Sequence, residues 1–268
     1  MPDFKNKVVV ITGGSDGIGK ALVEQFLKLG AKVATCARNH DKLYQLQQQN
    51  SNKPLLVYTA DIGNEDDCKD FIQGVIKSYG TIDILINNAG ISMRSLFTEV
   101  DLKTLKKLMD TNFWGTVYCT KFSLDYILKT KGTIVSVSSI AGFRGLPGRS
   151  GYSASKFAVN GWMESIRTEL LQTGVNVLLV CPGFTSSNIR NAALNKAGIA
   201  QGESPMNEDK MMTSEECAQH IIKAISKRKR NLILTFTGKR AVFINKFFPS
   251  LADKLTYKFF FKNGELVK

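Results

Sequence analysis

Short apolar runs alternate with longer amphipathic stretches through most of the chain. The runs are rich in Val and Ile, and most are continuously hydrophobic, which is typical of strands covered on both faces. We predict strands at 7–12, 32–37, 55–59, 82–87, 132–138, 175–181 and 232–236. We predict helices between them, at 20–29, 41–49, 65–79, 102–129, 153–172 and 214–229. This order predicts an α/β fold, with a doubly wound parallel sheet of about seven strands and helices on both faces.

The length and composition favour one domain. The chain has 268 residues, and 43% of them are hydrophobic, which is enough for one sizeable core. We expect a single domain over residues 1–238, followed by a basic, aromatic C-terminal extension over residues 239–268. The five cysteines are scattered, and no CxxC or Cys/His cluster accompanies the two histidines. We therefore expect reduced thiols and no metal site.

The net charge of +13 is concentrated near the carboxyl end. Residues 223–268 contain twelve Lys/Arg and two acidic residues, so this segment carries ten of the thirteen net charges. Basic and aromatic residues together can serve nucleic acid, but no nucleic-acid-binding motif accompanies them here. We therefore expect no nucleic-acid partner.

The two ends of the chain bear on location. The amino terminus shows no charged-then-apolar leader, and no segment reaches the roughly 18 to 20 apolar residues that span a bilayer. We therefore expect a cytoplasmic protein. The C-terminal extension leaves two alternatives open: its rings enter a membrane surface while its lysines meet anionic lipid, or the rings cap the core or a dimer interface. We favour peripheral membrane contact.

A glycine-rich turn follows the first predicted strand, from Thr12 to Gly19. Its glycines at 13, 17 and 19 let the backbone turn tightly and approach a pyrophosphate, and the next helix offers free N–H groups to the anion. Such a turn is weak evidence by itself. Its place after the first strand of a βαβ unit favours nucleotide binding.

Three motifs carry a resemblance to a known family. They are TGxxxGxG at 12–19, Asn-Asn-Ala-Gly at 87–90 and Tyr-Ser-Ala-Ser-Lys at 152–156. Together they resemble the signatures of the short-chain dehydrogenase/reductase (SDR) family, in family order, over roughly residues 5 to 235. The resemblance implies a Rossmann fold and hydride transfer between a nicotinamide cofactor and a carbonyl or alcohol carbon.

Tyr152 and Lys156 form the candidate acid/base pair. They are four residues apart and therefore share a face of a helix. A phenol ionises near pH ~10, and we expect a nearby ammonium and a positive nicotinamide ring to lower that pKa. The resemblance implies that Lys156 also binds the cofactor ribose, that Ser139 orients the substrate, and that Asn112 holds a water in the proton relay. From sequence alone, Ser138 remains an alternative to Ser139.

The end of the second predicted strand bears on the choice of cofactor. An acid there typically binds the ribose 2′-hydroxyl of NAD, whereas an arginine accommodates the 2′-phosphate of NADP. This position holds Arg38 and no acid, so we predict NADP(H). Asp16 argues against NADP(H), because many NADP-using relatives have a basic residue in the glycine motif. Ser15 could still donate to the phosphate.

The resemblance also implies the remaining cofactor contacts. Asp61 and Ile62 would meet the adenine, residues 88–90 the ribose, and the loop after the sixth strand the carboxamide. The full predicted cofactor set is Gly13, Ser15, Asp16, Gly17, Ile18, Gly19, Arg38, Asp61, Ile62, Asn88, Ala89, Gly90, Tyr152, Lys156, Pro182, Gly183 and Thr185. Residues from about 186 to 213 correspond to the family's substrate lid.

The remaining predictions concern the substrate and the assembly. The motifs are most similar to the 11β-hydroxysteroid dehydrogenase and 3-ketodihydrosphingosine reductase branches, which implies a lipid-like or bulky hydrophobic ketone. The alternatives are a 3-oxoacyl-carrier-protein reductase, which usually ends sooner after the last strand, or a catalytically silent NADP-binding scaffold or membrane adaptor. The resemblance implies a homodimer or homotetramer built on the helices at 102–129 and 153–172.

Overall fold

The computed structural model describes residues 4–208 and 211–267, so three predicted features extend beyond it. Residues 1–3 of the domain, 209 and 210 of the lid, and 268 of the extension lie outside the described residues. The parallel strands are β1 (Val8–Thr12), β2 (Lys32–Ala37), β3 (Leu55–Thr59), β4 (Ile84–Asn87), β5 (Thr133–Val137), β6 (Asn176–Cys181) and β7 (Asn231–Ile233). The helices are α1 (Gly17–Lys28), α2 (His40–Gln49), α3 (Glu65–Tyr79), α4 (Leu102–Met109), α5 (Gly115–Thr130), α6 (Ser150–Glu169), α7 (Ser214–Ser226), α8 (Phe236–Phe247) and α9 (Pro249–Phe260).

The seven strands form one parallel sheet in the order β3-β2-β1-β4-β5-β6-β7. The predicted doubly wound α/β fold is confirmed. Because β4 pairs with β1 and not with β3, the strand order reverses between β1 and β4. The loops that leave these two strands diverge, and open sheets bind ligands in the crevice that such a reversal creates.

The burial of β1 shows why its sequence is continuously apolar. All five of its residues are buried. Val9 and Ile11 pack in the layer that includes α1 and α7, whereas Val8 and Val10 pack in the opposite layer with α3, α5 and α6. Both faces of the sheet are therefore covered, which removes the polar alternation of a half-exposed strand.

The start of α6 differs from the prediction in a way that affects the site. The helix begins at Ser150, three residues before the predicted start at Ser153. Tyr152 therefore lies in the first turn, near the positive end of the helix dipole, where a phenolate is favoured.

The end of the last predicted strand, 232–236, is wrong. β7 ends at Ile233, and Phe236 already begins α8. Thr235 turns the chain between them with a φ of +63° and caps the new helix by accepting a hydrogen bond from the N–H of Gly238.

The C-terminal extension folds back onto the domain. Helices α8 and α9 are followed by a short antiparallel hairpin, β8 (Phe261–Lys262) and β9 (Glu265–Leu266). Asn245 donates to the carbonyl oxygen of Phe143 at 2.9 Å, and Arg144 forms an ion pair with Asp253 at 2.6 Å. Within the described ranges, no helix is both long enough and apolar enough to cross a bilayer.

Candidate active site

A cleft of about 420 Å³ lies beyond the carboxyl ends of the strands, at the reversal of strand order. Its walls are the loops that follow the strands together with the start of α6. Every residue of the predicted cofactor set lines this cleft, and so does Ser139. Asn112 is not on its surface and lies buried behind the wall.

The glycine loop is shaped for close approach by a ligand. Gly17 lines the cleft with a φ of +52°, and a Cβ atom there would lie 3.2 Å from the Cβ of Ser187 on the facing wall. A Cβ atom on Gly19 would collide with the carbonyl oxygen of Gly13. The first amide groups of α1 have no intrahelical acceptor, and Ile18 and Gly19 of this first turn line the cleft. A diphosphate fits this loop.

Asn88 fixes the glycine loop to the loop after β4. Its Nδ2 donates to the carbonyl oxygens of Thr12 at 3.0 Å and Gly13 at 3.3 Å. In return, the Thr12 hydroxyl accepts from the N–H groups of Asn88 and Ala89, both at 3.1 Å. The two diverging loops are therefore tied together at the cleft floor, where Gly90 follows.

The rim beside the glycine loop carries compensating charges. Arg38 is exposed at the end of β2 and lines the cleft. One oxygen of Asp16 accepts from the N–H of Gly17 at 2.7 Å, and the other forms an ion pair with Lys42 of α2 at 2.5 Å. The negative charge of Asp16, which would disfavour a phosphate nearby, is therefore paired with a cation. No sequence motif indicates Lys42, because its contact depends on how α2 folds back over the loop.

The loop after β3 is held by its own hydrogen bonds. Oδ1 of Asp61 accepts from the N–H of Gly63 at 3.0 Å, and the N–H of Asp61 donates to Asp67 at 2.8 Å. Ile62 is buried next to it. These contacts fix the wall of the cleft at the end of β3, where the adenine contacts were predicted.

The loop after β6 forms the facing wall with Pro182, Gly183 and Thr185. Arg190 of the predicted lid donates to the carbonyl oxygen of Thr185 at 2.7 Å and bonds both carboxylate oxygens of Glu208. The Arg190 guanidinium lowers the pKa of Glu208 to about 2. The lid is therefore fastened beside the cleft by a bidentate ion pair.

Tyr152, Lys156 and Ser139 meet in the cleft. Lys156 is 4% exposed, and its Nζ donates to the carbonyl oxygen of Val137 at 2.9 Å and lies 5.8 Å from the centroid of the Tyr152 ring. The Tyr152 hydroxyl is hydrogen-bonded to the Ser139 side chain. The Ser139 oxygen also accepts a hydrogen bond from the N–H of Ala141 at 3.1 Å. This contact caps a short 3₁₀ turn and fixes the position of the serine side chain.

The structure distinguishes Ser139 from Ser138. Ser138 is 4% exposed, and its hydroxyl donates to Oδ1 of Asn160 at 2.5 Å. Its hydrogen bond therefore serves the packing of β5 against α6. Ser139 is the serine whose side chain reaches Tyr152.

The pKa of Tyr152 differs from the prediction. Burial raises it above its ordinary value, while the hydrogen bond with Ser139 and the charges of Arg149 and Arg190 lower it by less. The predicted lowering is therefore wrong for the protein alone, because the cost of removing a phenolate from water outweighs these contacts. Burial also lowers the pKa of Lys156 to about 8.

Asn112 lies in a five-residue π-helical turn, Asp110–Trp114, that interrupts the predicted helix at 102–129. Its Oδ1 accepts from the N–H of Ile91 at 2.8 Å, and its Nδ2 donates to the carbonyl oxygen of Ile91 and to Ser155, both at 2.9 Å. Both amide hydrogens are thus used to hold the loop after β4 against α6. Such π-turns are frequent at functional sites.

Sequence reasoning missed two arginines that line the cleft, Arg149 and Arg190. Arg149 lies three residues before Tyr152, so helical spacing alone could have suggested it. Arg190 could not be recognised in this way, because the lid has no regular periodicity and its fold depends on the contact with Glu208.

Similarity to known proteins agrees with this architecture. A family model described as short chain dehydrogenase matches residues 7–198. A protein of Dictyostelium discoideum named "Dehydrogenase/reductase SDR family protein 7-like" is 33% identical over 265 residues, covering 96% of this chain and 82% of that protein. "11-beta-hydroxysteroid dehydrogenase A" of Arachis hypogaea is 33% identical over 260 residues, covering 92% and 73%.

The fold is also found among solved structures. A short-chain dehydrogenase/reductase of Burkholderia phymatum, solved in complex with NAD, superposes with a TM-score of 0.82 and 22% identity, covering 94% of this chain and 96% of that one. The sequence matches cover most of the chain. The seven-stranded sheet and the positions of the three motifs agree with them. The chain belongs to the short-chain dehydrogenase/reductase family and has the NAD(P)-binding fold of those oxidoreductases.

Proposed function

We propose that the chain is an NADP(H)-dependent oxidoreductase that moves a hydride between the nicotinamide and a carbonyl or secondary alcohol carbon. One observation carries the proposal: Tyr152, Ser139 and Lys156 meet in the same cleft as the glycine loop and the amino terminus of α1. The loop and the helix suit a dinucleotide diphosphate, and the three side chains suit a proton transfer.

The chemistry divides between the cofactor and the chain. When bound, the cofactor supplies the hydride in reduction and accepts it in oxidation. Tyr152 donates its proton to the carbonyl oxygen of a ketone, and Ser139 holds that oxygen by a hydrogen bond. The Lys156 ammonium stabilises the phenolate that remains. In the opposite direction, the same phenolate accepts the proton of the alcohol.

The charges on the rim support NADP(H) over NAD(H). Arg38 offers a planar, permanently charged donor where a 2′-phosphate would lie. Because Lys42 pairs with Asp16, the Asp16 carboxylate is neutralised and no longer disfavours a phosphate there. NAD is the second candidate, because it occupies the Burkholderia phymatum protein. The Arg38→Asp variant separates the two cofactors.

The lip of the cleft supports a lipid-like or bulky hydrophobic substrate. Phe184 lines the cleft, is 40% exposed and stacks on Phe259 of the C-terminal extension, with 6.0 Å between the ring centroids. The extension thus adds an aromatic wall to the opening. Exposed rings at the mouth of a pocket favour apolar ligands.

The experiment for this proposal is NADPH oxidation against a substrate panel of steroid ketones, ketosphingoids, acyl thioesters and small ketones. We expect the highest kcat/KM for bulky hydrophobic ketones. A preference for acyl thioesters would replace this substrate class with that of a 3-oxoacyl reductase. NADPH binding without turnover on any member would support the silent scaffold instead.

We also propose peripheral membrane contact through α8 and α9. Residues Phe243, Phe247, Phe248, Leu251, Leu255 and Tyr257 are each more than two-fifths exposed, and basic residues at 239, 240, 246, 254 and 258 accompany them. Such a surface suits an anionic bilayer. Phe247→Ser with Phe248→Ser should reduce co-sedimentation with phosphatidylserine vesicles, while Phe97→Ser, elsewhere on the surface, should not. Unchanged sedimentation of the double variant would reject the contact.

The helices at the predicted oligomer interface support a homodimer or homotetramer. Trp114, just before α5, is 44% exposed, and Phe157 on α6 is 46% exposed. Large apolar side chains on an exposed helix face favour association. Sedimentation velocity of Phe157→Glu should show a smaller species than wild type, and an unchanged sedimentation coefficient would exclude this face.

A further inference from the structure

The residue that precedes α8 has an unusual backbone conformation. Thr235, the N-cap of this helix, has a φ of +63° and a ψ of +146°. Such a backbone is strained for a β-branched residue, and only glycine adopts this region freely. An N-cap residue ordinarily has a β-region backbone, so the capping hydrogen bond to Gly238 does not require this conformation. Helix stability alone therefore does not account for Thr235.

The side chain of Thr235 packs against Gly183 in the loop after β6. A Cβ atom on Gly183 would collide with the Thr235 hydroxyl oxygen and would lie 2.8 Å from the Thr235 methyl carbon. Thr235 therefore fills the space beside the Cα of this glycine. Gly183 also lines the cleft, next to Pro182. The strained residue thus lies directly behind the cleft wall where the carboxamide contacts were predicted.

Hydrogen bonds fix the two ends of the same loop. The N–H of Leu234 donates to the carbonyl oxygen of Cys181 at 3.1 Å. The Thr185 hydroxyl donates to the carbonyl oxygen of Gly183 at 3.3 Å. The side chain of Thr235 supports the glycine that lies between these ends.

The first turn of α8 also contacts the turn that holds Ser139. Gly238 is buried, and a Cβ atom there would lie 2.8 Å from Cδ1 of Ile140, the residue after Ser139. The Thr235 hydroxyl accepts from the N–H of Gly238 at 3.1 Å and so determines where this helical turn begins. The start of α8 therefore lies against two walls of the cleft, the loop after β6 and the Ser139 turn.

We propose that Thr235 is a positioning residue for the nicotinamide side of the cleft: its strained backbone directs the side chain against Gly183 and so fixes the loop at residues 182–185. This inference rests on the proposed function, because it requires a dinucleotide in the cleft with its nicotinamide beside this loop. A wall that is fixed before binding loses less conformational entropy when the ligand arrives. The strain at Thr235 accompanies this pre-organisation, as it does at other functional sites.

The test measures ligand binding by calorimetry and needs no turnover. NADP⁺ would occupy both halves of the cleft, whereas 2′,5′-ADP carries the adenosine half with its 2′-phosphate and has no nicotinamide. Thr235→Gly relieves the backbone strain and removes the side chain that supports Gly183. We expect this variant to raise the Kd for NADP⁺ roughly three- to tenfold and to leave the Kd for 2′,5′-ADP within about twofold of wild type. Its urea midpoint should equal or exceed that of wild type, because the relief of strain opposes the loss of the cap.

Two further variants separate this role from a structural one. Thr235→Ser retains the hydroxyl that caps α8 and contacts Gly183, so its Kd for NADP⁺ should stay within about twofold of wild type. Lys131→Gly relieves the same kind of strain elsewhere, because Lys131 ends α5 with a φ of +50° and does not line the cleft. This control should raise the urea midpoint and leave both dissociation constants unchanged.

The outcomes are distinct. A Kd for NADP⁺ in Thr235→Gly equal to that of wild type would overturn the inference, whether or not the stability of the variant falls. An equal rise for NADP⁺ and 2′,5′-ADP would also overturn it, because the whole cleft would then have loosened. Weak NADP⁺ binding together with a lowered urea midpoint would reject the part assigned to strain.

Failure of the proposed function is seen separately, in the wild-type protein. Binding of neither NADP⁺ nor NAD⁺ to wild type, or turnover that persists in Tyr152→Phe, would contradict that function. If wild type binds NAD⁺ and not NADP⁺, the preference for NADP(H) is wrong, and the same comparison of variants is made with NAD⁺ and AMP.

Discussion

Lys42 of α2 and Asp16 of the glycine loop form an ion pair at the rim of the cleft, with 2.5 Å between Nζ and Oδ2. The pair joins two segments between which a helix and a strand, α1 and β2, lie in the sequence. Because Arg38 lines the same cleft, the rim carries two cations and one carboxylate. The net positive charge of these three side chains favours a ligand that carries an additional phosphate.

The first prediction concerns Arg38. Replacing it with Asp removes the donor for the 2′-phosphate and supplies an acceptor for a 2′-hydroxyl. We expect the ratio of kcat/KM for NADPH to that for NADH to fall roughly 10- to 100-fold, the range of a lost charge-assisted hydrogen bond. Steady-state kinetics with both cofactors measures it, with Arg240→Asp as the control. An unaltered ratio would remove Arg38 from cofactor selection.

Lys42→Gln tests the ion pair separately. Without its partner, Asp16 presents an unbalanced carboxylate near the phosphate, so the Kd for NADPH should rise while that for NADH changes little. Fluorescence titration of both cofactors measures the two constants. Equal weakening of NADPH and NADH would mean that Lys42 supports only the shape of the loop.

The second prediction concerns the ion pair of the lid. Glu208→Gln weakens the contact with Arg190, and we expect KM for the cofactor to rise roughly three- to tenfold with little change in kcat. The pKa of Glu208 is lowered to about 2, so its contribution is fully present above the ordinary carboxyl pKa and is lost only as pH falls through about 2. The difference between variant and wild type should therefore persist from neutral pH down to about pH 5. A difference that disappears within that range would contradict the role of this carboxylate.

The third prediction concerns the cost of burying Lys156. Its pKa is lowered from 10.5 to about 8, so between these values the unfolded chain binds more protons here than the folded chain. The free energy of unfolding of the wild type should therefore rise over this range, and the full penalty should apply below pH 8. Lys156→Met should be about 1 to 2 kcal/mol more stable at pH 7, once the lost hydrogen bond to Val137 is allowed for, and should be inactive.

Urea unfolding at pH 7 and pH 10 measures this effect, with the exposed Lys69→Met as control. The stability gain of Lys156→Met should shrink at the higher pH. If Lys156→Met were less stable than wild type at pH 7, the buried ammonium would stabilise the fold. That result would contradict the predicted cost of burying it.

The sheet and the cleft could be predicted because they depend on local patterns. Continuous apolar runs predicted the strands, and the motifs placed Gly17, Ser139 and Tyr152 at strand or helix ends that share one edge of the sheet. The contacts between distant segments could not be predicted in this way. The pairing of Lys42 with Asp16 and the packing of Thr235 on Gly183 depend on tertiary structure that no local period encodes.

One predicted helix and the end of one predicted strand differ from the structure for identifiable physical reasons. The helical pattern at 102–129 continues through Asn112, but the hydrogen bonds of that side chain to Ile91 accompany a π-turn that apolar periodicity does not reveal. The apolar pattern at 232–236 also continues to Phe236, although Thr235 turns the backbone out of the strand.

The most direct measurement is turnover of the Tyr152→Phe variant with NADPH and its best ketone, together with its Kd for NADPH. The account predicts that kcat falls at least about 100-fold, because no phenol remains to supply the proton, while the Kd stays within about twofold of wild type. A variant that binds NADPH normally and still reduces the ketone at close to the wild-type rate would contradict the assignment of Tyr152 as the acid/base.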